Sequence, residues 1–110
     1  MKLRRYCLAA LAAAFTVASV AANPTHDRIV KLPESRRNQA LTELMDRLGE
    51  SCEVTKSFFQ GLDESKSAYW SVACSNKRTF AIVLNDDGSN RVLECKRLKA
   101  LSNVDCFKAL

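Results

Sequence analysis

The sequence predicts a small α+β domain in which one N-terminal helix packs on a four-stranded antiparallel sheet, followed by a short C-terminal helical turn. Three observations favour this class. An apolar stripe with helical spacing precedes Gly49. Beyond that glycine, apolar residues recur with a period of two in segments separated by turn-forming residues. Four cysteines follow residue 22, and an even number is typical of the disulfide framework of a small exported domain.

Residues 1–22 have the composition of a secretory signal peptide. A basic start is followed by an uncharged stretch rich in Ala and Leu, which ends in small residues as signal peptidase requires. The stretch is short for a membrane span, which needs about 20 apolar residues. We expect cleavage after Ala22 or Ala21, with an uncleaved N-terminal anchor as the alternative. The expected product is periplasmic or secreted and has no stable membrane span.

Removal of this leader changes the charge balance. The whole chain has 17 Lys and Arg against 12 Asp and Glu, a formal net charge of +5. Three of the basic residues lie in the leader, which leaves 14 against 12 and a net charge of +2. Because nucleic-acid binding depends on a concentrated basic surface, no nucleic-acid partner is expected.

One helix is predicted over 34–49, at the start of a single disulfide-stapled domain over 34–110. Pro33 suits the first turn of this helix and Gly49 its end. Its apolar stripe consists of Leu41, Leu44, Met45 and Leu48. Residues 23–33 show no sustained periodicity and are expected to form a flexible lead-in.

Four strands are predicted over 52–60, 68–74, 80–85 and 90–95. The clearest turn contains Asp87-Gly88, a pair preferred by two-residue hairpin loops. With such a loop, Ile82 faces Leu93. One sheet face then carries Cys52, Val54, Trp70, Val72, Cys74, Phe80, Ile82, Leu84, Leu93 and Cys95. The outer face carries Glu53, Thr55, Ser57, Phe59, Tyr69, Ser71, Ala73, Ala81, Val83, Val92 and Glu94.

The strand alignment also favours one disulfide pairing. Cys52 faces Cys74 on the adjacent strand, which is close enough to bond. Cys74 and Cys95 lie two strands apart, about 9–10 Å, which is too far. We therefore expect Cys52–Cys74 and Cys95–Cys106, although four cysteines allow three connectivities. No two of these cysteines have the spacing of a zinc ribbon or a redox thiol pair, so no metal is expected.

The order of a helix and four antiparallel strands resembles the PepSY domain over about residues 34–95. The matching pieces are Leu48-Gly49, Val54, Tyr69-Trp70-Ser71-Val72, and 80–84 ahead of Asp86-Asp87-Gly88. This resemblance implies inhibition or regulation of peptidases in the cell envelope, and the two disulfides depart from it. The stretch 69–76 and the terminal Cys106-Phe107 also resemble small exported proteobacterial proteins, which adds no function.

Catalytic chemistry has little support in the sequence. The single histidine, His26, lies in the predicted lead-in, where nothing orients it. The acidic pairs, Asp63-Glu64 and Asp86-Asp87, lie in predicted turns, where acidic side chains favour loop geometry. Three glycines in total, none in a phosphate-binding arrangement, indicate no nucleotide site. We therefore expect no enzyme and no cofactor.

Two surfaces remain as candidates for binding. Phe59 and Tyr69 are candidate anchors for an envelope protein or peptidase, because aromatic residues are enriched in binding hot spots. The alternative is that they cover the sheet edge or pack on the lead-in. A second hypothesis is an envelope-associated structural protein that contacts anionic surfaces through Lys96, Arg97, Lys99 and Lys108.

Overall fold

The computed structural model describes residues 23–110, so the predicted signal peptide lies outside the described residues. The elements are α1 (Pro24–Val30), α2 (Glu34–Arg47), β1 (Val54–Leu62), β2 (Ala68–Cys74), β3 (Thr79–Leu84), β4 (Asn90–Glu94) and α3 (Cys95–Ser102). The four strands form one antiparallel sheet in the order β1-β2-β3-β4. The predicted α+β class is confirmed. Among residues 23–110, no helix is long and apolar enough to cross a membrane.

The segment predicted to be a flexible lead-in instead forms α1. Asn23 caps this helix, because its Oδ1 accepts a hydrogen bond from the His26 backbone N–H at 3.3 Å. The Asn23 side chain also donates to the Leu84 carbonyl at 2.6 Å, and Asn23 and Ile29 are buried. The prediction was wrong because seven residues are too few to display helical periodicity. Such a short helix depends on tertiary contacts for its stability.

The predicted amphipathic helix is α2, which begins after Pro33 and ends at Arg47. Its stripe is confirmed at Leu41, Leu44 and Met45, which are buried against the sheet. Gly49 has φ +88° and donates its N–H to the Asp46 carbonyl at 3.0 Å, as expected of a left-handed helix stop.

The last hairpin is shifted by one residue from the prediction. Ile82 pairs with Val92 instead of Leu93. The reason is the turn: the Asn85 N–H donates to the Ser89 carbonyl at 2.9 Å, which leaves a three-residue loop that ends in Gly88 at φ +91°. A shift of one residue reverses the faces of a strand. Val92 therefore packs against the core, and the predicted core position of Leu93 was wrong.

Strand β1 is irregular at two places, between Val54 and Lys56 and between Phe59 and Gly61. An extra residue in one strand changes which face the following side chains occupy. Ser57 and Phe59, which were predicted on the outer face, therefore lie on the side of α2. Between β2 and β3 the pairing is displaced by two residues, which preserves the predicted faces.

Both predicted disulfides are confirmed. Cys52 bonds to Cys74 with 5.1 Å between the Cα atoms, and Cys95 bonds to Cys106 with 5.8 Å. Cys52 and Cys74 are buried in the core. Cys95 and Cys106 are half-buried and join the start of α3 to the C-terminal segment 103–110.

This C-terminal segment and α3 cover the outer face of the sheet. Ala81 and Val83 of β3 are fully buried there, and so is Leu98 of α3. The Phe107 N–H donates to Ser71 Oγ at 2.9 Å, across the middle of the sheet. The sheet thus lies between two layers, and the outer face is covered at Ser71, Ala81 and Val83.

Candidate functional site

The two aromatic residues predicted as partner anchors lie on opposite faces of the sheet. The ring of Phe59 packs between His26 and Trp70, with ring centroids 4.5 and 5.2 Å away. Phe59 therefore contacts the segment predicted as a lead-in, which is the alternative that the sequence left open. Tyr69 remains on the outer face, so the structure does not bring the two rings together.

Tyr69 is held by the turn that joins β1 to β2. Its hydroxyl donates to Asp63 Oδ2 at 3.2 Å. The other oxygen of Asp63 accepts the backbone N–H groups of Ser65 and Ser67 at 2.8 and 3.0 Å, which orders the turn. Burial raises the pKa of Tyr69, and the Asp63 carboxylate raises it further. The tyrosine thus stays protonated and presents a fixed hydroxyl.

Tyr69 lines an open cleft of about 580 Å³ between the β1–β2 turn and the C-terminal segment. The other residues of the cleft are Leu62, Asp63, Glu64, Ser65, Ser102, Val104 and Leu110. The side chains of Leu62 and Leu110 are 51% and 52% exposed at its rim. We call this feature the Tyr69 cleft. Its walls are aliphatic and its turn side is acidic, a combination suited to contact with another macromolecule more than to enclosure of a small molecule.

The cleft exists because the chain end returns to β1. The Leu110 N–H donates to the Gln60 carbonyl at 3.0 Å, and the Gln60 side chain donates to the carbonyls of Asp105 and Lys108. Gly61 has φ +138°, a conformation that favours glycine, and a Cβ there would lie 3.6 Å from Leu110. Sequence reasoning missed this site because Val104 and Leu110 belong to no periodic segment.

The predicted basic cluster is divided in the structure. Lys99 Nζ lies 3.2 Å from the Asp105 carboxylate, and Lys108 Nζ lies 4.0 Å from the same group. Lys96 and Arg97 are exposed in the first turn of α3. Positive charge is unfavourable at the start of a helix, so these two side chains gain nothing from the helix dipole.

His26 is oriented, contrary to the sequence expectation. It is 7% exposed, and its Nδ1 accepts a hydrogen bond from Trp70 Nε1 at 3.0 Å. Burial lowers the pKa of His26, while the nearby charge of Asp27 opposes this shift. The accepting nitrogen carries no proton, so the imidazole is neutral in this arrangement.

A polar network joins α2 to the same region. The Arg37 guanidinium lies 5.3 Å from the centroid of the Trp70 ring, and its Nε donates to Ser57 Oγ at 3.0 Å. Ser57 in turn donates to Asn38 Oδ1 at 2.6 Å. These contacts connect α2 to β1 and β2, and the hydrogen bond from Trp70 to His26 extends the connection to α1. Sequence reasoning missed them because they join positions far apart in the chain.

Metal binding finds no support in the part of the chain that the structure describes, where no group of three His, Cys, Asp or Glu side chains converges. Comparison with protein-family models, with curated proteins and with solved structures gives no match for this chain.

Proposed function

We propose that this protein is an exported, non-enzymatic protein-binding module and that the Tyr69 cleft is its contact surface. The observation that carries the proposal is the exposure of Leu62 and Leu110, 51% and 52%, on the rim of a single cleft. Exposed apolar side chains that adjoin one another in a polar surround mark interaction sites. Tyr69, which lines the same cleft, offers a large amphipathic ring with its hydroxyl already oriented.

The disulfides support the exported location. Disulfides persist in oxidising compartments such as the periplasm and the extracellular space. Cys52–Cys74 lies in the core of the domain, and Cys95–Cys106 fastens the segment that builds the cleft. Together with the composition of residues 1–22, they favour a periplasmic or secreted protein whose contact surface depends on oxidation.

The non-enzymatic assignment is supported by the state of the histidine. A general base needs a nitrogen within reach of a substrate proton. The Nδ1 of His26 is instead engaged by Trp70, in a setting that is nearly closed to solvent. Binding to another protein therefore accounts for the exposed features better than catalysis does.

The resemblance to PepSY domains favours an envelope protein as the partner, and a peptidase that is inhibited or regulated is the specific expectation. A second candidate is contact with an anionic envelope surface. Its support is the exposure of Lys96 and Arg97 on α3. The Asp105 carboxylate, which lies near both Lys99 and Lys108, reduces that support, because its single negative charge offsets one of the four positive charges.

The test compares three variants in affinity capture from an envelope extract of the source cell, followed by titration of each captured protein in purified form. Leu62→Ser with Leu110→Ser changes the cleft rim. Leu101→Ser is the matched control, because Leu101 is 67% exposed on α3 and does not line the cleft. Lys96→Ala with Arg97→Ala tests the anionic surface.

We expect the rim variant to weaken a stoichiometric complex at least tenfold, while Leu101→Ser and the charge variant bind as the unmodified protein does. If only the charge variant binds the envelope extract more weakly, and added salt abolishes binding of the unmodified protein, contact with an anionic envelope surface becomes the better explanation. If no stoichiometric partner is found, or if the rim and control variants bind equally, the proposed contact surface is wrong. Inhibition of a captured peptidase would identify the regulatory role.

A further inference from the structure

Helix α1 is attached to the domain by a small number of buried contacts. Seven residues form too short a helix to be stable by itself. It is held by the Asn23 side chain, by the apolar side chain of Ile29 and by the ring of His26. Because these contacts are few, loss of any one of them weakens the attachment of α1 to the domain.

The contact made by His26 exists in only one protonation state. Its Nδ1 must present a lone pair to the Trp70 Nε1–H group. In the imidazolium form both ring nitrogens carry hydrogen, so Nδ1–H and Nε1–H would meet as two donors. Protonation of His26 thus removes the hydrogen bond and leaves a buried cation on a side chain that is 7% exposed.

The surroundings of the ring give this cation little compensation. Strands β1 and β2 contribute Phe59 and Trp70, and α2 contributes the cation of Arg37 on the Trp70 ring. Lys66, in the β1–β2 turn, takes part through its carbonyl, which accepts the Asn23 side chain at 3.3 Å. Asp27 of α1 itself is the opposing anion, and its effect is smaller than that of burial.

We propose that α1 is a pH-sensitive latch over the rings of Phe59 and Trp70, and that uptake of a proton by His26 releases it. Release breaks the bond to Trp70 and moves the imidazolium into water. The sheet stays folded, because Ile29 is the single residue of the core cluster that α1 supplies, and the Cys52–Cys74 disulfide lies outside α1. The two aromatic rings, covered at neutral pH, are uncovered on acidification.

The direction of the pH dependence follows from linkage. Burial lowers the pKa of His26 in the docked state, and release restores its ordinary value of 6.5. The docked state is therefore fully favoured above pH 6.5, and its advantage is lost as the pH falls toward the lowered pKa. Within that interval the equilibrium constant for opening rises about tenfold for each unit of pH.

The experiment measures amide hydrogen exchange of the oxidised protein from pH 7.5 to pH 5, corrected for the intrinsic effect of pH on exchange. We expect protection in 24–30 to fall as the pH drops below 6.5, by up to about tenfold per pH unit until the lowered pKa of His26 is reached, while β2 and β3 keep theirs. Trp70 is the single tryptophan of the chain, so its quenching by acrylamide reports the same opening. Quenching should increase over the same pH range in which protection in 24–30 falls.

His26→Gln is the control, because glutamine can accept a hydrogen bond from Trp70 and does not titrate. It should show no pH dependence in either measurement. The latch is excluded if protection in 24–30 does not change with pH, if His26→Gln shows the same change as the wild type, or if the strands lose protection together with α1. Should the variant fail to dock α1 at pH 7.5, proton NMR of His26 in the wild type decides. A protonated imidazole with 24–30 still protected overturns the proposal.

Discussion

Leucines 98 and 101 of α3 offer a direct test of the layer that covers the outer face of the sheet. Leu98 is 2% exposed and Leu101 is 67% exposed, although both belong to one eight-residue helix. Replacement of a fully buried leucine by alanine destabilises a domain by about 2–5 kcal/mol, through lost transfer energy and the cavity that remains. We expect Leu98→Ala to lower the free energy of unfolding by about 3 kcal/mol. Leu101→Ala should change it by less than about 0.5 kcal/mol, because most of Leu101 is exposed and the substitution removes little buried surface.

Urea denaturation of the two oxidised variants, followed by the fluorescence of Trp70, measures this difference. In a domain of this size about 1 kcal/mol corresponds to about 4–8 °C, so Leu98→Ala should also lower Tm by more than 10 °C or so. Both variants replace a leucine of α3 by alanine, so the small effect of helix propensity is the same in each and cancels from the difference between their stabilities. If the two variants have equal stability, α3 does not pack on the sheet and the outer layer described above is wrong.

Three further outcomes are expected. Replacing Cys95 and Cys106 by alanine should lower the free energy of unfolding by about 3 kcal/mol, because the disulfide closes a loop across a sequence separation of 11. Urea denaturation measures this loss of stability. Spectrophotometric titration of Tyr69, which is the single tyrosine of residues 23–110, should give a midpoint above 10.0 that Asp63→Asn lowers. Since this raised pKa keeps the hydroxyl protonated in the folded state, stability should fall as the pH rises above 10.0. Gly61→Ala should destabilise the domain by about 1–3 kcal/mol because of its φ of +138°, and should weaken binding at the Tyr69 cleft.

The main elements and both disulfides could be predicted from periodicity and spacing alone. The stripe of α2 and the alternation in the strands report burial directly, because a buried face repeats with the period of its element. The disulfide Cys52–Cys74 was predicted from a register that places the two cysteines opposite each other. In the structure Cys52 precedes β1 and Val54 pairs with Cys74, so the predicted register was wrong although the disulfide is present. The helical stripe and the alternation depend on short stretches of sequence, which is why they could be recognised without the fold.

The register of β4 could not be settled in the same way. Asp87-Gly88 fits a two-residue loop, and Gly88 fits equally well the last position of a three-residue loop. The two readings differ by one residue and therefore exchange Val92 and Leu93 between the faces. Both residues are aliphatic, so hydrophobic pattern does not separate the alternatives. The choice is made by the hydrogen bond between Asn85 and Ser89, which the sequence does not reveal.

The irregular start of β1 has larger consequences, because it decides where the aromatic residues point. The extra residue before Lys56 turns Ser57 toward α2, where Arg37 and Asn38 satisfy its hydroxyl. The same change turns Phe59 toward His26. A regular strand would have left Phe59 beside Tyr69 on the outer face, as predicted. The irregularity allows β1 to contact α1 and α2, which are distant from it in sequence. The local pattern of β1 therefore could not predict it.

One pattern in the sequence did indicate that the outer face of the sheet is covered. Residues 80–84 are all apolar, without alternation, and a continuous run of this kind is typical of a strand buried on both faces. A single predicted helix covers only one face, so Ala81 and Val83 required a second cover. In the structure the segment 96–110, which follows the sheet, supplies that cover. Its return across the outer face, and the cleft that it builds with the β1–β2 turn, therefore follow from the need to bury the second side of β3.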